Sequence, residues 1–186
     1  MNVDLNKDFI EQLEEDFLAK NYTPHLEFLK EGHPADLAEV IEKIDFEAAY
    51  NLYNELSDEL GAEVLMELDD DLRQKFLADY SGQEIAQELI ENLDSDDAAD
   101  LINELPREIR KEVLDNIEDQ KQAMDIARLL VYPEGTAGAL MGTELIKVNT
   151  SWRVLQCVKE MRKQAEEIER VHAIYVVDDQ NKLLGT

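Results

Sequence analysis

Along the middle of the chain, apolar residues recur in triplets at positions i, i+1 and i+4. The series runs Val40, Ile41 and Ile44; Leu52, Tyr53 and Leu56; Val64, Leu65 and Leu68; then Phe76, Leu77 and Tyr80. It continues as Leu89, Ile90 and Leu93; Leu101, Ile102 and Leu105; then Val113, Leu114 and Ile117, so all 21 positions are apolar. The step is 12 residues throughout, except for one of 13 between Tyr80 and Leu93. Three apolar residues at this spacing form one stripe along about two turns of helix. The residue after most stripes is Asp, Ser or Pro (Asp45, Ser57, Asp69, Ser81, Asp94, Pro106), which suits a turn or the cap of the next helix.

A two-turn helix cannot bury its stripe alone. The pattern therefore predicts a mainly α fold in which consecutive units stack into a right- or left-handed superhelical solenoid. A coiled coil is excluded, because a 12-residue period interrupted by "LSDEL", "LDSDD" and "ELPRE" does not sustain heptads. Upstream, "KDFIEQLEEDFLAK" predicts a further amphipathic helix and "YTPHLEFLKEGHP" leads into the first unit, both capping the array.

Beyond the last stripe the pattern changes. "DQKQAMDIARLLVY" predicts a longer connecting helix, and "PEGTAGALMG" a loop. "ELIKVN" predicts a strand, "TSWRVLQCVKEMRKQA" a helix capped by Thr150 or Ser151, and "HAIYVV" a buried strand turned by "DDQNK" into "LLGT". The organisation expected is an acidic helical-repeat domain over 1–118, a connecting helix and loop over 119–135, and the start of an α/β domain over 136–186. The order β-α-β-β stops in mid-strand, so either the natural chain continues or a partner completes the sheet.

Charge narrows the possible partners. The 186 residues carry 44 Asp and Glu against 18 Lys and Arg, a formal net charge of -26, with 44% hydrophobic residues. Such a surface repels phosphate backbones and anionic lipid headgroups and attracts cations or basic proteins. No nucleic-acid partner is expected. A single cysteine, Cys157, rules out an internal disulfide, fits a reducing compartment and reads as a small core residue, as Trp152 and the methionines read as packing. The start lacks the order of a signal peptide, and no run approaches the ~20 apolar residues of a membrane helix, so the cytosol is the expected location.

The densest charge lies between Phe76 and Pro106, which hold Asp79, Glu84, Glu88, Glu91, Asp94, Asp96, Asp97, Asp100 and Glu104 with no Lys or Arg. On a helix starting near Ser95, Asp96 and Asp100 are i,i+4 and Asp97 and Asp100 i,i+3, so these carboxylates share a face and repel. Two readings follow. One takes the aspartates as solvated first-turn charges that favour the helix dipole, the other as a site for a divalent cation. Magnesium keeps several waters and binds through one or two carboxylates, so it needs no dense motif. Catalytic alternatives lack support: His25, His33 and His172 are scattered with no HExxH or Cys-His spacing, and there is no phosphate-binding glycine motif. No catalytic residue is expected.

Taken in order, "PADLAEVIEKI" and "DDAADLINELP", then "YPEGTAGALMGTELIKV", then "HAIYVVDDQNKLLGT" resemble the cytosolic part of the MgtE-type magnesium transporters, from the acidic repeat domain into the first CBS domain. The resemblance runs from about residue 33 onward. It implies a non-enzymatic regulator on the cytoplasmic face of the cell membrane that closes over bound Mg2+ to gate a pore formed elsewhere in the same full-length chain, with homodimerisation through CBS domains. It also implies a ligand set: Asp96, Asp97 and Asp100 match an acidic "DDxAD", Glu63 in "GAEVL" matches a contributing glutamate, and the backbone of Gly138 and Ala139 could add a carbonyl. The second CBS domain, the linking helix and the pore have no counterpart in these residues, so part of an inter-domain site would lie outside them. The competing reading is an acidic helical-repeat scaffold with a CBS module for interaction or dimerisation, in which metal is incidental.

Overall fold

The structure, a computed structural model, describes residues 5–133, 135–165, 168 and 171–186. The closing residue of each apolar triplet (Ile44, Leu56, Leu68, Tyr80, Leu93, Leu105 and Ile117) falls just past a helix end, at Ile44, Leu68, Leu93, Leu105 and Ile117 in extended backbone. The first two residues of each lie on short helical segments. In chain order these are α3 (Pro34–Lys43), α4 (Phe46–Tyr53), α5 (Asp58–Glu67), α6 (Asp70–Leu77), a composite helix that begins as α7 (Gly82–Glu84), α8 (Ser95–Glu104) and α9 (Arg107–Asn116). They are preceded by α1 (Lys7–Leu18), a 3-10 turn at Thr23–His25 and α2 (Leu26–Glu31). All 21 triplet residues are buried or half-buried in one continuous core, which is the burial that a stacked array of amphipathic helices requires.

The single 13-residue step has a structural counterpart. After α7 the backbone makes a π-helical turn at Ile85–Leu89 and a 3-10 turn at Ile90–Asn92. The Ile90 N–H reaches the Ile85 carbonyl, an i to i−5 bond that takes up one extra residue while Leu89, Ile90 and Leu93 stay in the core. Gly82 opens this composite helix where a β-carbon would come within 2.6 Å of Glu112 Cβ, so α7 can approach α9 only through a glycine.

The expected caps form at three of the six positions. Asp45 accepts from Glu47 N–H, Ser57 from Leu60 N–H, and Ser81 makes a capping box with Glu84. The Asp69 and Asp94 side chains and Pro106 make no cap hydrogen bond. Glutamates from elsewhere in the array also reach helix starts: Glu14 accepts from Asp45 N–H, Glu42 from Asp69 N–H and Glu91 from Glu118 N–H. Part of the acidic composition is thus spent holding helix N-termini, where partial positive charge favours a carboxylate.

The connecting helix differs from expectation. α10 (Gln120–Leu129) has ten residues, no more than α3, α5, α8 or α9. It is not a free spacer: Ile126 and Leu129 enter the array core, and Gln122 Nε2 donates to the Ile90 and Leu93 carbonyls at 2.8 and 3.2 Å. Apolar residues at 126 and 129 are an i,i+3 pair, and that pair docks the helix on its neighbours.

The C-terminal part is β1 (Ile146–Asn149), α11 (Val154–Gln164), β2 (Ile174–Val177) and β3 (Leu183–Gly185), in sheet order β1-β2-β3. β1 pairs parallel with β2 in the register Ile146 to Ile174, and β2 antiparallel with β3 around a turn in which Asn181 takes φ 60 and Asp178 accepts from the Gln180 and Lys182 N–H groups. α11 starts later than its sequence suggests. Its cap position is Arg153, because Asn149 Oδ1 holds Ser151 N–H and O–H in a tight turn first. β2 is half-buried except at Val177, and α11 has no buried residue; Val154 and Leu155 are 78% and 85% exposed. Cys157 is accordingly half-exposed rather than core, and Met124 and Met141 are exposed rather than packed. Among the described residues no helix is long and apolar enough to cross a membrane.

Candidate functional site

Helix α8 carries the acidic motif, and its apolar face fixes the direction of its charges. Ala98, Ala99, Leu101 and Ile102 are buried, which turns Asp97 and Asp100 outward. Helix α5 does the same opposite: Val64 and Leu65 are buried, leaving Glu63 and Glu67, an i,i+4 pair, on one polar side. Both polar sides line one open cleft of about 1260 Å³, closed on its far side by the loop after α10. Glu63, Asp96, Asp97 and Asp100 therefore all face the same space, although 33 residues separate Glu63 from Asp96.

The two expected backbone contributors part company. Ala139 lines the cleft, whereas Gly138 lies under the Tyr132 ring, where a β-carbon would come within 2.4 Å of Cδ1. Packing against Tyr132 accounts for that glycine. Gly142 brings the chain against Asp96: a β-carbon there would stand 3.6 Å from Asp96 Oδ2 and 3.6 Å from Glu144 Oε2.

Nine carboxylates line the cleft among the described residues, against one arginine, Arg73. The electrostatic consequence is clearest at Asp97. Its side chain meets solvent, but the cleft walls displace much of its hydration, and Asp96, Asp94, Asp100 and Glu67 add negative charge, so its pKa is pushed up to about 6. The group is still mostly ionised at pH 7 and takes up its proton as the pH falls through about 6.

At the other end of α8 the charge is balanced internally. Arg73, 7% exposed, donates from Nε to the Leu65 carbonyl at 3.0 Å, from Nη2 to Met66 and Leu68 carbonyls at 3.1 and 2.8 Å, and from Nη1 to Glu104. It thus closes the C-terminal turn of α5 and holds the end of α8 to it. Desolvation raises the Glu104 pKa, and Arg73 counteracts that rise.

The helix start is held by a residue from outside the array. Glu144 Oε1 accepts from Ser95 N–H at 3.1 Å, and Oε2 accepts from Ser95 O–H at 3.1 Å and from Thr143 N–H at 2.9 Å. The Ser95 and Thr143 hydroxyls lie 2.8 Å apart. Ser95 is fully buried. Sequence reasoning missed Glu67, Arg73 and Glu144. The first could have been found from its i,i+4 spacing to Glu63, but the other two meet α8 across 31 and 49 residues and leave no local signal. His33 and His172 also reach the cleft, while His25 is buried elsewhere against Asp16 at 2.9 Å.

The carboxylates and nearby backbone carbonyls of the cleft offer oxygen ligands, the chemistry that hard divalent cations take. Among the described residues no group of three His, Cys, Asp or Glu side chains is arranged to hold a metal ion directly. An open acidic cleft of this kind fits a cation that retains its water and is held through few direct ligands.

Residues 32–135 match the family described as the MgtE intracellular N domain. The magnesium transporter MgtE of Enterococcus faecalis (strain ATCC 700802 / V583) is 35% identical over 65 residues, which make up 35% of this chain and only 14% of that protein. The crystal structure of the soluble part of a magnesium transporter matches 96% of this chain and 70% of its own, with TM-score 0.76 and 25% identity. That of the cytosolic domain of the Mg2+ channel MgtE in complex with ATP matches 94% and 71%, with TM-score 0.78 and 26% identity.

Proposed function

Because this chain belongs, over residues 32–135, to the family of the MgtE intracellular N domain, we propose that it is a magnesium-sensing regulatory region on the cytoplasmic face of the membrane, acting on a transmembrane pore and not as an enzyme. The observation that carries the reading is the convergence of Glu63, Asp96, Asp97 and Asp100 on one cleft whose far wall is the loop leading into the C-terminal part. A divalent cation supplies positive charge between these surfaces. Glu63 and the α8 aspartates would hold it, largely through water, from the array side, with the Ala139 backbone facing them. The domain roles follow: the repeat array carries the carboxylates, the connector sets their distance from the C-terminal part, and the CBS part pairs with a second copy. Gating rests on differential affinity, since a ligand shifts an equilibrium only by binding one arrangement more tightly than the other.

The test is small-angle scattering and thermal melting of the chain with magnesium from zero to ~20 mM, well above the weak affinity of a partly hydrated site. A smaller radius of gyration and a higher melting temperature are expected as carboxylate repulsion is relieved. Identical curves across that range in the chain, and in a longer one carrying both CBS domains, would sink the reading.

A further inference from the structure

The cleft holds two different kinds of carboxylate. Asp97 faces its acidic neighbours, whereas Glu144 is engaged by the donors of Ser95 and Thr143. Three observations make the second group more than an ordinary helix cap. Glu144 comes from beyond α10 and stands two residues before β1, so its bonds tie the first strand of the sheet to the array. The natural cap position, Asp94, makes no side-chain cap bond, which leaves the start of α8 to Glu144. The Ser95 hydroxyl is fully buried at the joint, where it both donates to Glu144 and accepts from Thr143 N–H at 3.2 Å.

We propose that Ser95, Thr143 and Glu144 form a cation-independent latch, with Glu144 a positioning residue that keeps the C-terminal part attached to the N-terminus of α8 whether or not cations occupy the cleft. The negative carboxylate lies at the positive end of the helix and receives charge-assisted hydrogen bonds from both chain segments, so the joint needs no ion to form. Opening and closing of the cleft is then rotation about this joint. Asp96, Asp97 and Asp100 lie within a turn and a half of it, and a cation there works on a pre-assembled hinge. This inference rests on the magnesium-sensing reading for its consequence and on the hydrogen-bond geometry for its existence.

The test labels native Cys157 on α11 and a second thiol introduced by Lys111→Cys on α9, and measures their distance distribution in full-length chains by pulsed electron resonance. With chelator present, the unmodified latch is expected to give a single distribution of limited width, which magnesium narrows further. Glu144→Gln, which puts amide hydrogens against Ser95 O–H or Thr143 N–H, should broaden it, and so should Ser95→Ala. Each should raise the magnesium midpoint for narrowing roughly tenfold, the loss expected of one charge-assisted bond. The helical signal of the array should stay the same. The double variant should be no worse than the more severe single one, because both break the same latch. Narrow distributions in both variants under chelator, or fully additive shifts in the double variant, overturn the latch. If magnesium leaves the parent distribution unchanged while the variants still broaden, the sensing reading fails and the latch stands. If magnesium narrows parent and variants alike at one midpoint, the latch fails and the sensing reading stands.

Discussion

The two ends of helix α8 carry similar acidic residues and treat their charge in opposite ways. At the C-terminal end Glu104 meets Arg73, a buried guanidinium that also satisfies three carbonyls around the end of α5. At the N-terminal end Asp97 is surrounded by Asp94, Asp96, Asp100 and Glu67, and its pKa rises to about 6. One end has its charge settled inside the fold. The other keeps a repulsion that a cation can relieve, which is the condition for stability and shape to respond to ion concentration. Acidic residues in this array are therefore not interchangeable, although the sequence writes both ends in the same letters.

The largest departure from this contrast should come at the paired end. Arg73→Met removes the guanidinium donor from three carbonyls and leaves Glu104 without its partner, and should cost about 3 kcal/mol in denaturant unfolding, with or without magnesium. Glu104→Gln should cost less, about 1.5 kcal/mol, because Arg73 keeps its carbonyl acceptors while losing an ionic one. Its magnesium midpoint should not move, even though Glu104 lines the same cleft.

At the repulsive end the signs reverse. Asp97→Asn and Asp100→Asn should leave the magnesium-free protein equal or more stable by a few tenths of a kcal/mol, while weakening magnesium-induced compaction. Asp96→Asn and Glu63→Ala should act alike on compaction. Equal loss of compaction from Glu104→Gln and Asp100→Asn would reduce the cleft to general charge screening and erase the distinction between the two ends.

The smallest effect is a pH dependence. Asp97 binds its proton more tightly in the folded state, pKa about 6, than at its ordinary value of 3.8. Its ionisation therefore disfavours the fold above pH 6. That penalty fades as pH falls through 6 and is gone below 3.8. The stability advantage of Asp97→Asn over the parent, measured in chelator, should shrink between about pH 7 and about pH 5. Over the same window proton and cation compete, so more magnesium should be needed for compaction of the parent. An advantage that does not change with pH would mean that Asp97 titrates as an ordinary surface aspartate.

Much of this architecture was legible because it is written at short range. The 12-residue recurrence of apolar triplets marks the helical units, and all 21 predicted positions are buried or half-buried, although the closing residue of each triplet lies just past its helix rather than on it. Even the one irregular step announced itself, as the extra residue absorbed by the π turn at Ile85–Leu89. The acidic face of α8 was equally readable, since burying Leu101 and Ile102 leaves Asp97 and Asp100 only the outside. What these charges face was not. Whether a carboxylate meets a guanidinium 31 residues away, as Glu104 does, or other carboxylates, as Asp97 does, depends on how helices stack, and periodicity carries no information about that. The Ser95–Glu144 joint spans 49 residues and takes the place of a cap that the sequence assigns to Asp94. Local geometry determined the helices and their faces; only the tertiary structure decided which charges were paired, which were crowded, and where the two parts of the chain are joined, because those outcomes depend on distances between elements that no repeat in the chain encodes.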